Sequence, residues 1–175
     1  MKFSLKDIKK LYKKKSLSEL FLYTFIIIAG ITLDQITKFL TVSFLKPIGS
    51  FPIIQDVLHF TYATNDGCAF GMLDNAPWIF NTVSIVTVVF VSLYLYLGYS
   101  QNRLYSVSLS MIAAGGIGNL IDRLSLGYVV DFIDFTIINF AIFNVADCLV
   151  CIGAGLVMLA LVLDIIKEAK EEKQK

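Results

Sequence analysis

Carboxyl and carboxamide groups are the reactive material of this sequence: Asp34, Asn65, Asn119, Asp122, Asp131, Asn144 and Asp147. Two carboxyls brought together in a partly apolar site cannot both ionise cheaply, so they share a proton and titrate as a unit. The ionised member draws a proton from water. The protonated member polarises a carbonyl, and protonation then assists a leaving amine. That is amide hydrolysis by paired aspartates, and it needs no metal and no cofactor. Other chemistries have less material. The single histidine, His59, leaves little for a Ser-His triad or a His-based zinc site, and it reads as a strand or surface residue. Cys148 and Cys151 have a redox or metal-like spacing, but they lie in an apolar stretch with no second Cys pair and read as buried free thiols.

Each candidate also has a plain structural reading. Lys38 follows Asp34 at i+4, so an ion pair on one helix face explains both. Asn119 and Asp122, three apart, share a face where each needs a buried partner. Asn144 or Asp147 caps a helix, an account that explains either residue but less readily both. Asn65-Asp66-Gly67 is ordinary turn chemistry.

The elements that position these groups lie in a membrane. Of 175 residues, 57% are hydrophobic and 17% charged, and mean hydropathy is +0.73. Soluble domains run at about 45–50% apolar and about 25% charged. This excludes a disordered chain and argues against a water-soluble globule. A net charge of +1 argues against nucleic-acid binding, and three Cys exclude a disulfide scaffold. No charge occurs in 75–102, 104–121 or 148–163, and a fourth apolar block begins at Leu20 and passes Asp34 and Lys38 to Leu45. A bilayer core needs about 20 residues of helix. Four spans are expected, near 20–42, 76–98, 103–122 and 147–166.

Charge orients the spans. Lys2, Lys6, Lys9, Lys10, Lys13, Lys14 and Lys15 are nearly half of the 15 basic residues and all precede the first span. The positive-inside rule keeps this end cytoplasmic. Arg103 and the tail lysines Lys167, Lys170, Lys173 and Lys175 fit the same side. Residues 1–17 then form a basic cytoplasmic segment, 167–175 a charged cytoplasmic tail, and the whole chain one integral membrane domain. The first span runs into Asp34 rather than a small-residue cleavage site, so it reads as an uncleaved anchor. The lysines serve topology and contact anionic lipid. Loops 46–75 and 123–146 face outward. Their β-branched and aromatic runs, 51–54, 57–62 and 128–138, predict a small sheet on the outer surface, with alternating faces around Asp131.

In this arrangement Asp34, Asn65, Asn119, Asp122, Asp131, Asn144 and Asp147 all gather near the outer boundary. Intramembrane acids cost about 2.5–3.5 kcal/mol at a helix centre, so coincidence explains the cluster poorly. A proton-coupled carrier also holds acids in its spans, but it places them near midplane and often shows repeats. Here no repeat is seen. A membrane scaffold would need none of the aspartates. Spacing alone does not choose Asp131 over Asp122 or Asp134. The small residues from Ala113 to Gly118 let another helix backbone approach closely.

The chain resembles the lipoprotein signal peptidases, or type II signal peptidases, of bacterial membranes. The resemblance runs from about Ile31 to Gly155 in five ordered blocks: Asp34-Gln35-Ile36-Thr37-Lys38, Asn65 to Gly71, Gly115 to Arg123, Gly127 to Phe132, and Phe143-Asn144-Val145-Ala146-Asp147. It implies four transmembrane helices with a small extracytoplasmic β-cradle in the bacterial inner membrane. It implies an aspartic endopeptidase that removes the signal peptide of a diacylglyceryl-modified prolipoprotein, cutting before the lipid-modified cysteine. Its catalytic pair falls on Asp131 and Asp147. Asp34, Lys38, Asn65, Gly67, Asn119, Arg123 and Asn144 are carried over as substrate-binding or dyad-orienting positions, and Asp122, beside Arg123 at a helix end, takes a supporting structural role. The expected partners are that substrate and membrane lipid, with the chain acting as a monomer. Two departures stand out: Cys68, where the family often has Ala, and the apolar stretch 134–141.

Overall fold

The structure, a computed structural model, describes residues 15–66, 77–97, 102–138 and 140–173. Helix α1 (Leu17–Leu40) begins with a capping box. The Ser16 hydroxyl accepts the Glu19 amide at 3.2 Å, and the Glu19 carboxylate accepts the Ser16 amide at 2.9 Å. The helix continues without a break into a π-helical turn, Thr41–Leu45, and so outruns the expected 20–42. Gly49, at φ +82°, turns the chain into the sheet, a conformation that suits glycine.

Strands β1 (Ser50–Ile54) and β2 (Leu58–Asn65) form a hairpin, and β3 (Val129–Asp134) pairs antiparallel with the far side of β2. Ala63 stands opposite Asp131 and Asn65 opposite Val129. Phe143 extends the sheet, exchanging backbone bonds of 2.8 and 3.1 Å with Ile133. Both faces of β3 are covered around Asp131. Val129, Val130, Asp131 and Phe132 are all buried, because β3 runs between β2 and Phe143 against the ends of α1 and α3.

The other helices are α2 (Pro77–Tyr96), α3 (Arg103–Ser125) and α4 (Val145–Glu172). Leu17–Leu45, α3 and α4 are long and apolar enough to cross a membrane, and α2 contributes a shorter apolar helix, Asn81–Tyr96. The charged tail expected from 167 is helical as far as Glu172.

Helix α3 is central and packs on α1, α2 and α4. Its small residues permit that. A Cβ on Gly115 would strike the Ala146 carbonyl, and one on Gly118 would lie 2.5 Å from Asp34 Oδ2. Ser106, Ser108 and Ser110 are fully buried; Ser108 and Ser110 return their hydroxyls to carbonyls of their own helix at 2.6 and 2.7 Å. Meanwhile Phe21, Phe39, Phe90 and Met158 face outward. Polar groups inside and apolar groups outside is the pattern of a protein dissolved in lipid.

The sheet caps one end of the bundle, where α1 and α3 finish and α4 starts. At the other end Lys15 donates to Ser106 Oγ at 3.0 Å and lies over the Tyr23 ring.

Candidate active site

Two linked clusters occupy the sheet end of the bundle. The first is built on Lys38. Its Nζ lies 3.0 Å from Asp34 Oδ2, 3.1 Å from Asp122 Oδ2 and 2.8 Å from Asn119 Oδ1. Asp34 Oδ1 accepts the Ala146 amide at 3.0 Å, and Asp122 Oδ2 accepts the Val130 amide at 3.0 Å. Asp34 and Asp122 thus join α1, α3, β3 and α4 through one buried ammonium and two backbone bonds. Gln35 completes this joint, donating to Asp122 Oδ1 at 2.9 Å and to the Gly118 carbonyl at 3.2 Å. Gln35 was not among the sequence candidates. An uncharged amide inside an apolar span, beside Asp34, is the signal that identifies it, since such a group needs a buried partner.

The second cluster holds Asp131 and Asp147. Asp131 is 2% exposed. Its Oδ1 accepts Asn144 Nδ2 at 2.6 Å and its Oδ2 accepts Asn65 Nδ2 at 3.0 Å. Asp147 is half-buried, and its Oδ1 accepts Asn119 Nδ2 at 2.8 Å. Asn144 Nδ2 also reaches Asn119 Oδ1 at 3.0 Å, so the two asparagines form a bridge between the two carboxyls. Lys38 sets that bridge. Because its ammonium occupies Asn119 Oδ1, the donor side of Asn119 must face Asp147.

Asn144 and Asp147 are also the reciprocal halves of a capping box on α4. Asn144 Oδ1 accepts the Asp147 amide at 3.0 Å, and Asp147 Oδ2 accepts the Asn144 amide at 3.1 Å. The expectation that a cap would explain one but not both is therefore corrected: one cap uses both. Each still has polar atoms left over, and those face Asp131 and Asn119.

Burial, first, and then the charge of Asp147 push the Asp131 carboxyl up to about 6, against bonds from Asn65 and Asn144 and the Lys38 charge that pull it down. The folded chain thus holds this proton more tightly than the unfolded one. The resulting stabilisation is complete below pH 3.8 and lost as pH rises through about 6. Purified protein is expected to melt higher at about pH 5 than at about pH 7.5, and Asp131→Asn to shrink that difference. Equal differences in variant and wild type would refute the assignment.

The rival acids have other partners. Asp122 is tied to Lys38, and Asp134 Oδ2 accepts the Thr61 hydroxyl at 2.8 Å. Arg123 is half-buried beside Asp122. Gly67 and Cys68 lie outside the described residues. His59 is on β2. Cys148 is half-buried, but Cys151 faces outward rather than being buried as expected. Among the described residues no group of three or more His, Cys, Asp or Glu is placed to hold a metal.

Comparison with known proteins places this architecture. Residues 26–163 match the family model described as signal peptidase (SPase) II. A lipoprotein signal peptidase of Caldanaerobacter subterraneus subsp. tengcongensis is 49% identical over 122 residues, covering 70% of this chain and 83% of the relative. One of Brevibacillus brevis is 46% identical over 135 residues, covering 77% and 90%. A solved bacterial membrane enzyme, determined by the in meso method at 2.3 Å, superposes with a TM-score of 0.77 at 32% identity, covering 88% of this chain and 93% of its own. With a family match spanning most of its length and relatives this similar, the chain belongs to the signal peptidase II family.

Proposed function

We propose that this protein is a membrane aspartic endopeptidase that removes the signal peptide from diacylglyceryl-modified prolipoproteins, cutting before the lipid-modified cysteine. The observation that carries the catalytic reading is the asparagine bridge between Asp131 and Asp147, which holds two carboxyls in one partly buried site.

Their surroundings differ, and the difference supports separate roles. Asp131 is enclosed and holds its proton more readily than a free carboxyl. Asp147 is half-buried in the first turn of α4, where a helix N-terminus favours negative charge. Asp147 takes a proton from water as the water oxygen attacks the scissile carbonyl carbon. Asp131 gives its proton to the carbonyl oxygen. In the collapse that follows, the carbon–nitrogen bond breaks, the amine nitrogen takes the proton from Asp147, and a hydroxyl proton returns to Asp131. Every proton is accounted for, and no cofactor enters.

In this reading all four helices span the bacterial inner membrane, both termini lie in the cytoplasm, and one chain acts alone. The sheet and the dyad stand at the outer boundary and the Lys15 contact at the inner one. The substrate enters sideways from the bilayer, since its apolar parts never favour water. Asn65 and the sheet hold the extended peptide and exclude bulk water.

The test is cleavage by purified protein of a lipid-modified prolipoprotein and of its unlipidated form. Cutting of the first alone, before the modified cysteine, is expected. Cleavage of neither overturns the reading.

A further inference from the structure

Asp164 has no part in the dyad or in the Lys38 cluster. It is half-buried on α4, while its neighbours Val162, Leu163, Ile165 and Ile166 face outward. It lies about 25 Å along the helix from Asp147, at the end of the bundle away from the sheet. A bilayer core is about 30 Å thick, so this is headgroup depth in the leaflet opposite the sheet. An acid there is costly unless a cation answers it. The Tyr105 hydroxyl donates to the Asp164 carboxylate and uses one of its about four lone-pair positions. Lys167, three residues on along the same face, is exposed, and its ammonium is the chain's own rival for the rest. Tyr105 is also the wall of a pocket. Helices α2 and α4 each pack on α3, and a cleft of ≈ 210 Å³ is lined by Phe90, Val91 and Tyr94 of α2, Tyr105 and Leu109 of α3, and Val157 of α4. Val157 and Asp164, seven apart, share a face of α4, so the carboxylate stands past the pocket toward the membrane surface.

We propose that this site holds a phospholipid with a primary ammonium headgroup, drawn from the leaflet opposite the sheet. Its ammonium meets the Asp164 carboxylate and the rings of Tyr94 and Tyr105, and part of an acyl chain fills the cleft between α2 and α4. The argument is charge complementarity. The N–H groups of a primary ammonium match the open positions of a carboxylate, in a charge-assisted bond. Tyrosine faces attract the same cation. A quaternary ammonium meets the rings but has no N–H for the carboxylate. A phosphodiester whose headgroup ends in hydroxyls brings only negative charge to Asp164 and is repelled. The apolar cleft beneath asks for an occupant with a hydrocarbon part, which excludes a small soluble amine. The inference is independent of peptide cleavage: it needs only the lipid embedding and the packing of α2 and α4 on α3.

The test is native mass spectrometry of the purified full chain, released from micelles that hold equal amounts of phosphatidylethanolamine and phosphatidylglycerol. Wild type is expected to retain phosphatidylethanolamine over phosphatidylglycerol by about fivefold, with phosphatidylcholine between the two. Asp164→Asn, nearly the same size, should bring the ratio to parity, and Tyr105→Leu should lower it part of the way. Lys167→Gln should keep the preference. In detergent, added phosphatidylethanolamine should raise the melting temperature of wild type and leave that of Asp164→Asn unchanged. An even ratio in wild type, or an undiminished preference in Asp164→Asn, overturns the site. Loss of the preference in Lys167→Gln also overturns it, because the lipid would then be recognised through its phosphate. If Asp164→Asn melts below wild type by the same margin with and without phosphatidylethanolamine, the carboxylate serves the chain itself through Lys167 or Tyr105, and the proposal fails.

Discussion

Asp131→Asn and Asp147→Asn each lower cleavage of a lipid-modified prolipoprotein by about a thousandfold, within the range that general acid–base catalysis contributes. The reason is that an amide can neither take a proton from water nor give one to a carbonyl. Asparagine keeps the size and one of the two acceptors, which at 147 can retain the bond from the Asn144 amide that caps α4 and at 131 one of the two asparagine bonds, while the backbone pairing of β3 with β2 and Phe143 is untouched. Both variants should therefore insert and melt cooperatively in detergent. Because the two carboxyls act as a unit, the double variant should lose little more than either single one. Peptide cleavage measured on the purified variants decides it. Retention of wild-type rates by both would end the assignment, and additive losses would show that the two groups act separately.

The second large effect belongs to Lys38. Its ammonium bridges Asp34 and Asp122, and the three residues are 3%, 0% and 3% exposed. Lys38→Met leaves two carboxylates buried without their cation, a loss of about 3–5 kcal/mol. It also frees Asn119 to turn its amide, because the group that fixed its oxygen is gone. The expected result is a large fall in melting temperature together with loss of cleavage. Asp34→Asn added to Lys38→Met should recover part of the stability, since one uncompensated charge is removed. A melting temperature equal to wild type in the single variant would show that the ion cluster does not hold the helices together.

The same residues show how far a sequence can be read. The apolar blocks announced long helices, and the strand-forming runs announced a sheet between them. Both followed from periodicity and composition, which are local properties. Asp34 and Lys38 were legible as a pair because a helix puts i and i+4 on one face. The small residues before Asn119 were legible as a seam because only small side chains let backbones touch. Gln35, an amide beside a charged pair, looks incidental in the sequence until its partners on α3 are known. The cap formed jointly by Asn144 and Asp147 escaped the sequence reading because spacing shows what a residue can reach and not how its atoms are divided between partners.

The choice among Asp122, Asp131 and Asp134 marks the boundary. In sequence they are equivalent acids near one helix end. In the folded chain Lys38 and the Val130 amide hold Asp122, Thr61 meets Asp134, and Asn65 and Asn144 hold Asp131, which Asn144 and Asn119 link to Asp147. The sequence alone determined that this is a lipid-embedded helical protein with a sheet and an acid cluster at one end, because hydrophobic length and charge placement are written along the chain. Which carboxyls are linked by the asparagine bridge was decided only by tertiary structure, because hydrogen-bond partners from α1, α3, β2, β3 and α4 meet there from positions far apart in the chain.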